Sequence, residues 1–145
     1  MKLNDILSEK GTHVHTIGPK ATLDEVVQKL VECNCGSLLV CEAAPGGGQS
    51  ILGIITERDI LRACAAHLPL DEVEVASVMS RNLVTAHPDD SVEEVMGLLT
   101  EKRIRHLPVL DQGRLAGLIS IGDVVKAQHR QTLVENHYLK TYLHG

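Results

Sequence analysis

The stretch GLISIGDVV, residues 117–125, repeats a pattern that stands earlier in the chain as GIITERDIL, residues 53–61. In both stretches a short apolar, β-prone run ends at a hydroxyl residue, and an aspartate follows three residues later. An aspartate directly after an apolar strand is typical of a helix start. The pattern therefore predicts that the same strand-to-helix junction occurs twice in the chain. Its polar residues are Thr56 and Asp59 in the first copy and Ser120 and Asp123 in the second.

The repeat extends well beyond these junctions. A shift of 69 residues aligns residues 16–42 with residues 85–111. The first copy then carries five extra residues in the Gly-rich segment AAPGGGQSIL, and the register continues at a shift of 64. Such an insertion between two apolar runs predicts a lengthened hairpin loop. The segments before the two copies, LNDILSEKGTHVHTI and VASVMSRNLVTA, also match loosely.

Each copy predicts the element order strand, helix, strand, strand, helix. Capping boxes, which satisfy exposed backbone donors at a helix start, are indicated by Thr22 with Glu25 and by Ser91 with Glu94. Apolar residues behind them recur at helical spacing: Leu23, Val26, Val27 and Leu30, then Val92, Val95, Met96 and Leu99. The strands are SLLVCE and ILGIITE, then HLPVLD and LAGLISI.

This order predicts an α/β (α+β) fold made of two β-α-β-β-α repeats. One copy of about 50 residues is too small to bury a sufficient core alone. We therefore expect the two copies to pack sheet against sheet about a pseudo-twofold axis.

Composition excludes several classes of function. The 145 residues are 43% hydrophobic and 23% charged, with a net charge of -5, which argues against a basic nucleic-acid-binding face. Two tyrosines with no Phe or Trp leave no platform for base stacking. No apolar run reaches the length of a signal peptide or a membrane span, so we expect a cytoplasmic protein.

The repeated motifs identify a family resemblance. GIITERD and GLISIGD, the RHLPVLD strand, and a Thr-x-x-Pro segment leading into each first helix resemble a tandem pair of cystathionine-β-synthase-type (CBS) domains. The resemblance covers roughly residues 16–129. It divides the chain into a first repeat with its leader (1–75), a second repeat (76–129) and a C-terminal helical extension (130–145). It implies a stand-alone module that binds adenosine-containing ligands and forms homodimers.

Two interpretations of the junctions stay open. Asp59 and Asp123 are favoured residues at a helix N-cap, and capping explains them without any ligand. Capping by the aspartate does not explain why a hydroxyl stands three residues before each one. A carboxylate beside a strand end also accepts hydrogen bonds from both hydroxyls of a ribose. The resemblance favours the ribose role, which is compatible with capping.

Adenine and phosphate need different groups. With no Phe or Trp, adenine must lie between aliphatic side chains and be read by backbone groups of the two lead-in segments, residues 16–19 and 85–88. The alternative is that the prolines of these segments only begin a turn. Phosphates need cations, which only the second copy places before its strand, as Arg105 and His106. The alternative for Arg105 is a solvated surface charge.

The resemblance implies two sites, each drawing on both repeats. The site of Asp123 is expected to be the stronger phosphate site. Its residues are Thr16, Ile17, Gly18, Leu23, Cys35, Gly36, Arg105, His106, Leu118, Ser120, Gly122 and Asp123. The second site comprises Thr85, Ala86, His87, Val92, Ser37, Ile54, Thr56, Arg58 and Asp59.

Rival functions are weaker but open. The CNC and HVH motifs lack zinc spacing, and the second copy has Lys102 and Ile104 where Cys33 and Cys35 stand, so no metal site is expected. The four cysteines read as free thiols, with redox sensing as an alternative. No Gly-rich phosphate loop, nucleophile elbow or HExxH motif indicates an enzyme, so no catalytic residue or catalytic cofactor is expected.

The C-terminal segment adds a second kind of surface. Val134, Tyr138 and Tyr142 fall on one helical face with Leu139 and Leu143 beside them. This face could pack on its own domain or on a partner subunit, and we favour a homodimer. It also leaves open a pure assembly module that binds no ligand.

The sequence therefore predicts a regulatory sensor of adenine nucleotides. AMP is the first choice of ligand, with ADP, ATP, NAD and S-adenosylmethionine as alternatives. We expect the bound nucleotide to change the shape of the dimer and so to act on an unidentified regulated protein.

Overall fold

The structure is a computed structural model that describes residues 1–144 of the chain. The Cα positions group into two compact units: Val14–Leu83, and Met1–His13 together with the chain from Val84 onward. The helices and strands, in chain order, are α1 (Leu3–Lys10), β1 (Thr16–Ile17), α2 (Leu23–Cys33), β2 (Ser37–Ala43), β3 (Gln49–Thr56), α3 (Glu57–Ala65), a 3-10 turn (Val75–Ser77), α4 (Val92–Lys102), β4 (His106–Asp111), β5 (Arg114–Ser120) and α5 (Ile121–His144). The repeat boundaries at residues 75 and 129, which come from sequence similarity, stay predictions.

The unit Val14–Leu83 contains a three-stranded sheet in the order β1-β2-β3. β1 is parallel to β2, and β2 is antiparallel to β3, so the predicted hairpin is present. The inserted loop between them turns through Gly46, Gly47 and Gly48, all with positive φ, where glycine costs least. The core of this unit is Leu23, Val26, Leu30, Leu38, Val40, Ile55, Ala63, Val75 and Met79.

The other unit contains the antiparallel pair β4-β5, joined by a tight turn at Gln112 and Gly113 with positive φ. The predicted first strand of the second copy is reduced to one parallel bridge, between Ala86 and Val109. Helix-spaced residues of α4 are buried as predicted. The core of this unit is Leu3, Ile6, Leu7, Ala86, Val92, Val95, Leu99, Leu107, Val109, Ile119 and Val124.

The predicted capping boxes of α2 and α4 are half formed. Thr22 Oγ1 accepts a hydrogen bond from Glu25 N at 3.2 Å, and Ser91 Oγ accepts one from Glu94 N at 3.0 Å. Within residues 1–144 neither glutamate side chain returns the bond to the cap residue. Thr22 and Ser91 also lie in isolated β-bridges with the segments that precede the opposite copy, with Glu74 and Lys2 as their partners.

The leader segments are exchanged between the copies. Leu3, Ile6 and Leu7 of α1, which precede the first repeat, lie in the core of the second repeat's unit. The residues before the second repeat pack on the first, with a bridge between Ile54 and Ser80. Each leader therefore approaches the hairpin of the opposite copy.

Two equivalent glycines accommodate these approaches. A Cβ at Gly117 would lie 2.6 Å from Leu7 Cδ2, and a Cβ at Gly53 would lie 2.5 Å from the Ser80 carbonyl oxygen. Such distances are far inside van der Waals contact, so a side chain at Gly53 would collide with backbone, whereas one at Gly117 would require the Leu7 side chain to move. The repeated glycine of the two motifs is thus explained by packing.

Candidate functional site

Both junctions are capping boxes. Thr56 is the N-cap of α3: its N–H donates to Asp59 Oδ2 at 2.9 Å, while Asp59 N donates to Thr56 Oγ1 at 3.4 Å. At the start of α5, Ser120 N donates to Asp123 Oδ2 at 2.8 Å, and Asp123 N donates to Ser120 Oγ at 3.1 Å. The hydroxyl residue and the aspartate therefore satisfy each other's backbone donors.

This geometry corrects part of the sequence interpretation. The helices begin at Glu57 and Ile121, two residues before the aspartates, and the hydroxyl residues occupy the N-cap position. Reciprocal capping explains both residues and their spacing without any ligand. The argument that capping leaves the hydroxyl unexplained was wrong, because a box needs a hydroxyl at the N-cap and a carboxylate three residues later.

The second junction carries a feature that the first lacks. Lys10, the last residue of α1, donates from Nζ to Asp123 Oδ2 at 2.6 Å and to the Leu118 carbonyl oxygen at 2.7 Å. The side chains of Lys10 and Asp123 are 37% and 23% exposed, so this ion pair is partly shielded from water. Among the described residues, no cation pairs with Asp59.

The lysine alters the titration of the aspartate. Burial alone would raise the pKa of Asp123, but the hydrogen bonds from Lys10 and from the Ser120 N–H outweigh it and hold the pKa below its ordinary value. Both bonds reach Oδ2. Asp123 is thus held as an ionised acceptor at the start of α5.

Sequence reasoning missed Lys10. It lies 113 positions from Asp123, and nothing local marks it. The available signal was the loose match of the two leaders, combined with the possibility that each leader packs on the opposite copy. That exchange is what delivers the ammonium group to the second junction.

The predicted phosphate residues lie beside this junction. His106 pairs with Ser120 across β4 and β5, and the Arg105 carbonyl oxygen accepts a hydrogen bond from Ile121 N at 2.8 Å. Arg105 is exposed, and no acidic side chain in residues 1–144 pairs with its guanidinium group. The structure therefore places the backbone of Arg105 and His106 next to Ser120, at the start of the helix that carries Asp123, and their role in binding phosphate stays a prediction.

The first junction has the equivalent backbone without the cations. Ser37 pairs with Thr56, and the Gly36 carbonyl oxygen accepts a hydrogen bond from Glu57 N at 3.0 Å. Ser37 is buried, whereas Arg58 is exposed on the first turn of α3. Ile54 lies two residues before the junction on β3.

In the lead-in segment of the second copy, several backbone N–H and carbonyl groups already form hydrogen bonds within the protein. Ala86 N donates to the Pro108 carbonyl oxygen, and the Ala86 carbonyl oxygen accepts from Leu110 N. His87 N donates to Asp90 Oδ2 at 2.8 Å, and its ring lies 3.4 Å from Asp111 Oδ1. Thr85 is exposed, and the reading of an adenine edge by this segment stays a prediction.

The remaining predicted residues occupy several environments. Leu23 and Val92 are at most 1% exposed and belong to the two cores, so a direct ligand contact for them stays a prediction. Thr16 and Ile17 form β1, and the Thr16 carbonyl oxygen accepts a hydrogen bond from Lys29 Nζ. Gly18 and Gly122 are exposed. The predicted sites as wholes also stay predictions.

The cysteines are free thiols. Burial first, and then the neighbouring Cys33, raise the pKa of Cys35, while the pKa of Cys41 is raised by burial. A raised pKa lowers the thiolate fraction, and the thiolate is the reactive form. For Cys35 and Cys41 this favours a role as small apolar side chains over redox sensing. No cluster of three potential metal ligands occurs among the residues that the structure describes.

A separate surface groove of about 450 Å³ lies along α2 and the start of α3. Its lining includes Val31, Leu61 and Cys35, but neither Thr56 nor Asp59. The groove is therefore not the predicted sugar site.

Sequence comparison places these features in a known context. A family model described as "CBS domain" matches residues 4–66 and again residues 75–130. A protein of Arabidopsis thaliana named "CBS domain-containing protein CBSX3, mitochondrial" is 33% identical over 150 residues, which cover 99% of this chain and 72% of that protein. No catalytic family is indicated.

Solved structures agree. The CBS-domain protein NE2398 superposes with a TM-score of 0.81 at 38% identity, covering 88% of this chain and 97% of that one. The CBS-domain pair of MJ0100, solved with 5'-methylthioadenosine and S-adenosyl-L-methionine, gives 0.76 at 25% identity, covering 90% and 98%. A hexameric CBS-CP12 protein from bloom-forming cyanobacteria gives 0.74 at 28% identity, covering 86% and 69%.

Proposed function

The chain belongs to the CBS-domain family, and from this premise we propose that it is a regulatory module that binds adenosine-containing ligands without catalysing a reaction. The observation that carries the proposal is the junction at Asp123. There an ionised, half-buried carboxylate stands at the start of α5 beside an exposed arginine that no described acidic side chain neutralises. An acceptor of this kind suits ribose hydroxyls, and the guanidinium group suits a phosphate.

In this proposal Asp123 accepts hydrogen bonds from the hydroxyls of the sugar, and Arg105 and His106 bind the anionic part of the ligand. Lys10 now holds Asp123 Oδ2 and the Leu118 carbonyl oxygen, so a ribose that uses both oxygens of the carboxylate displaces the lysine. The junction at Asp59 is the second, weaker site, with Arg58 as its cation.

AMP is the first candidate ligand, followed by ADP, ATP, NAD and S-adenosylmethionine. The binding of S-adenosyl-L-methionine and 5'-methylthioadenosine by the MJ0100 domain pair, at 25% identity, supports an adenosine ligand here. We further propose that the protein is a cytoplasmic homodimer whose shape responds to the ligand and is read by a partner protein. No helix within residues 1–144 is long and apolar enough to cross a bilayer.

A second function has its own support. Because the capping boxes account for both residues of each junction, the motif is also compatible with an assembly module that binds no nucleotide. The two functions differ in a simple observable. A ligand that binds only the folded state raises its melting temperature, and an assembly module shows no such effect.

Matched ligands test the proposal. We expect AMP to raise the melting temperature, 2'-deoxy-AMP to raise it less, and GMP to have no comparable effect. The deoxy compound lacks one hydroxyl whose hydrogen bond Asp123 would accept, and GMP differs from AMP only in the base. Equal shifts with AMP and 2'-deoxy-AMP would exclude the 2'-hydroxyl contact. No shift with any adenosine compound at millimolar concentration would leave the assembly function.

A further inference from the structure

The distal part of α5 presents an apolar surface that its own chain does not cover. Val134, Tyr138 and Tyr142 are 68%, 71% and 78% exposed, and Leu139 and Leu143 are 54% and 73% exposed. We call these five residues the α5 stripe. At 3.6 residues per turn they occupy about half of the helix circumference, in two rows of spacing four. His137 and Lys140 lie on the opposite face.

The helix beyond Arg130 lacks support from its own unit. Residues 130–143 are all exposed, and the contact that anchors this segment is the ion pair between Arg130 and Glu9 of α1. Thr, Val, Asn, His and Tyr, which are frequent here, are weak helix formers. Most helical stability in proteins comes from the packing of an apolar face, and this end of α5 has no such packing within its own unit. The helical state of this segment therefore calls for a partner.

We propose that the partner is a second copy of this chain, with the α5 stripes of the two copies packed against each other. Rows of spacing four interdigitate when two helices cross, and an identical helix supplies a complementary surface through a twofold axis. Tyrosine is enriched in protein interfaces, which fits a stripe that holds both tyrosines of the chain. This inference rests on the homodimer of the proposed function, to which it assigns an interface, and not on nucleotide binding.

The available area reaches the lower end of the range for a stable dimer. If each side chain offers on the order of 150–200 Å² when fully exposed, the stripe presents roughly 600 Å² per chain. Complete coverage of both stripes buries at most roughly 1,200 Å², the lower end of the range for specific stable interfaces.

Intrinsic fluorescence tests this surface in the unmodified protein. The chain has two Tyr and no Trp, so its fluorescence reports on the α5 stripe alone. We expect sedimentation to give twice the monomer mass at high concentration. Over the same concentration range, acrylamide quenching of tyrosine should weaken as the dimer forms. A dimer whose tyrosines stay fully quenchable, or a chain that stays monomeric, overturns the proposal.

Substitutions provide the second test. The double variant Tyr138→Glu, Tyr142→Glu places charges within the stripe and should lose the dimer, giving the monomer mass. His137→Glu adds the same charge on the opposite face and should remain dimeric. Circular dichroism checks that both variants keep their folded domains. A double variant that stays dimeric, or a control that dissociates equally, contradicts pairing through the stripe.

Discussion

The ion pair between Lys10 and Asp123 gives a prediction whose size follows from its geometry. Exposed ion pairs contribute about 0.2–1 kcal/mol, whereas a hydrogen bond to a charged group contributes about 1.5–3 kcal/mol. The pair has a short Nζ to Oδ2 distance of 2.6 Å, but the lysine side chain is 37% exposed and is screened by water. We therefore expect a coupling free energy of about 1 kcal/mol at neutral pH.

The perturbation is the double-mutant cycle of Lys10→Met and Asp123→Asn. The cycle removes effects that each substitution has alone, including the damage that Asn does to the capping box. The free energy of unfolding is measured by urea denaturation, followed by circular dichroism. Asp59 supplies the matched control, because it makes the same capping box without a lysine. Lys10→Met and Asp59→Asn should be additive within about 0.5 kcal/mol.

The pH dependence of the coupling has a definite sign. The pKa of Asp123 is lower in the folded protein than in the unfolded chain, where it is about 3.9. The stability from the ionised carboxylate is thus complete well above the unfolded pKa and is lost as pH falls through the folded pKa. The coupling should be constant between about pH 6 and pH 8 and should decline below about pH 4. Coupling below about 0.3 kcal/mol at neutral pH, or equal coupling of Lys10 to both aspartates, would refute this reasoning.

Three further predictions concern single positions. Lys10→Met should tighten the binding of adenosine, which has no phosphate, by about three- to tenfold, because it removes the ammonium group that competes with the ribose for Asp123. Unchanged or weaker binding, measured by calorimetry, contradicts the displacement of Lys10. Gly53→Ala should lower the melting temperature more than Gly117→Ala, since the new Cβ meets a backbone carbonyl in the first case and the end of a leucine side chain in the second. A larger decrease for Gly117→Ala argues against these two Cβ contacts. Arg103 ends α4 with a φ of 54°, a conformation that glycine adopts without strain, so Arg103→Gly should raise the free energy of unfolding by about 0.5–1 kcal/mol in urea titrations. A loss of stability would mean that the arginine side chain matters more than the backbone.

Local signals predicted most of the fold. The hydroxyl residues Thr22 and Ser91 cap α2 and α4, and the helix-spaced residues behind them, such as Leu23 and Val95, are buried. The inserted glycines form the long hairpin loop. These features depend on residues a few positions apart, which is why the sequence alone reveals them. The length of the first strand of the second copy was overestimated. Its pairing stops after a single bridge at Ala86, and no local sequence signal marks where the pairing ends.

The site was predicted less completely, for two physical reasons. The pattern of Ser120 followed three residues later by Asp123 is itself a capping-box signal, but it was interpreted as aspartate capping plus a separate ligand role. Lys10 reaches the site only because α1 packs on the opposite copy, a contact between distant parts of the chain. Spacing along one repeat cannot reveal such an exchange.

The measurement that bears most directly on the proposed function is titration calorimetry of AMP against the wild-type protein, Asp123→Ala and Asp59→Ala. Loss of the charge-assisted hydrogen bonds to the sugar should weaken AMP binding by Asp123→Ala roughly ten- to a hundredfold. The Asp59→Ala variant, which loses the equivalent half of a capping box, should bind AMP at its stronger site almost as the wild type does. If Asp123→Ala is folded and binds AMP with wild-type affinity, the junction serves only to start a helix, and the proposed sugar site does not exist.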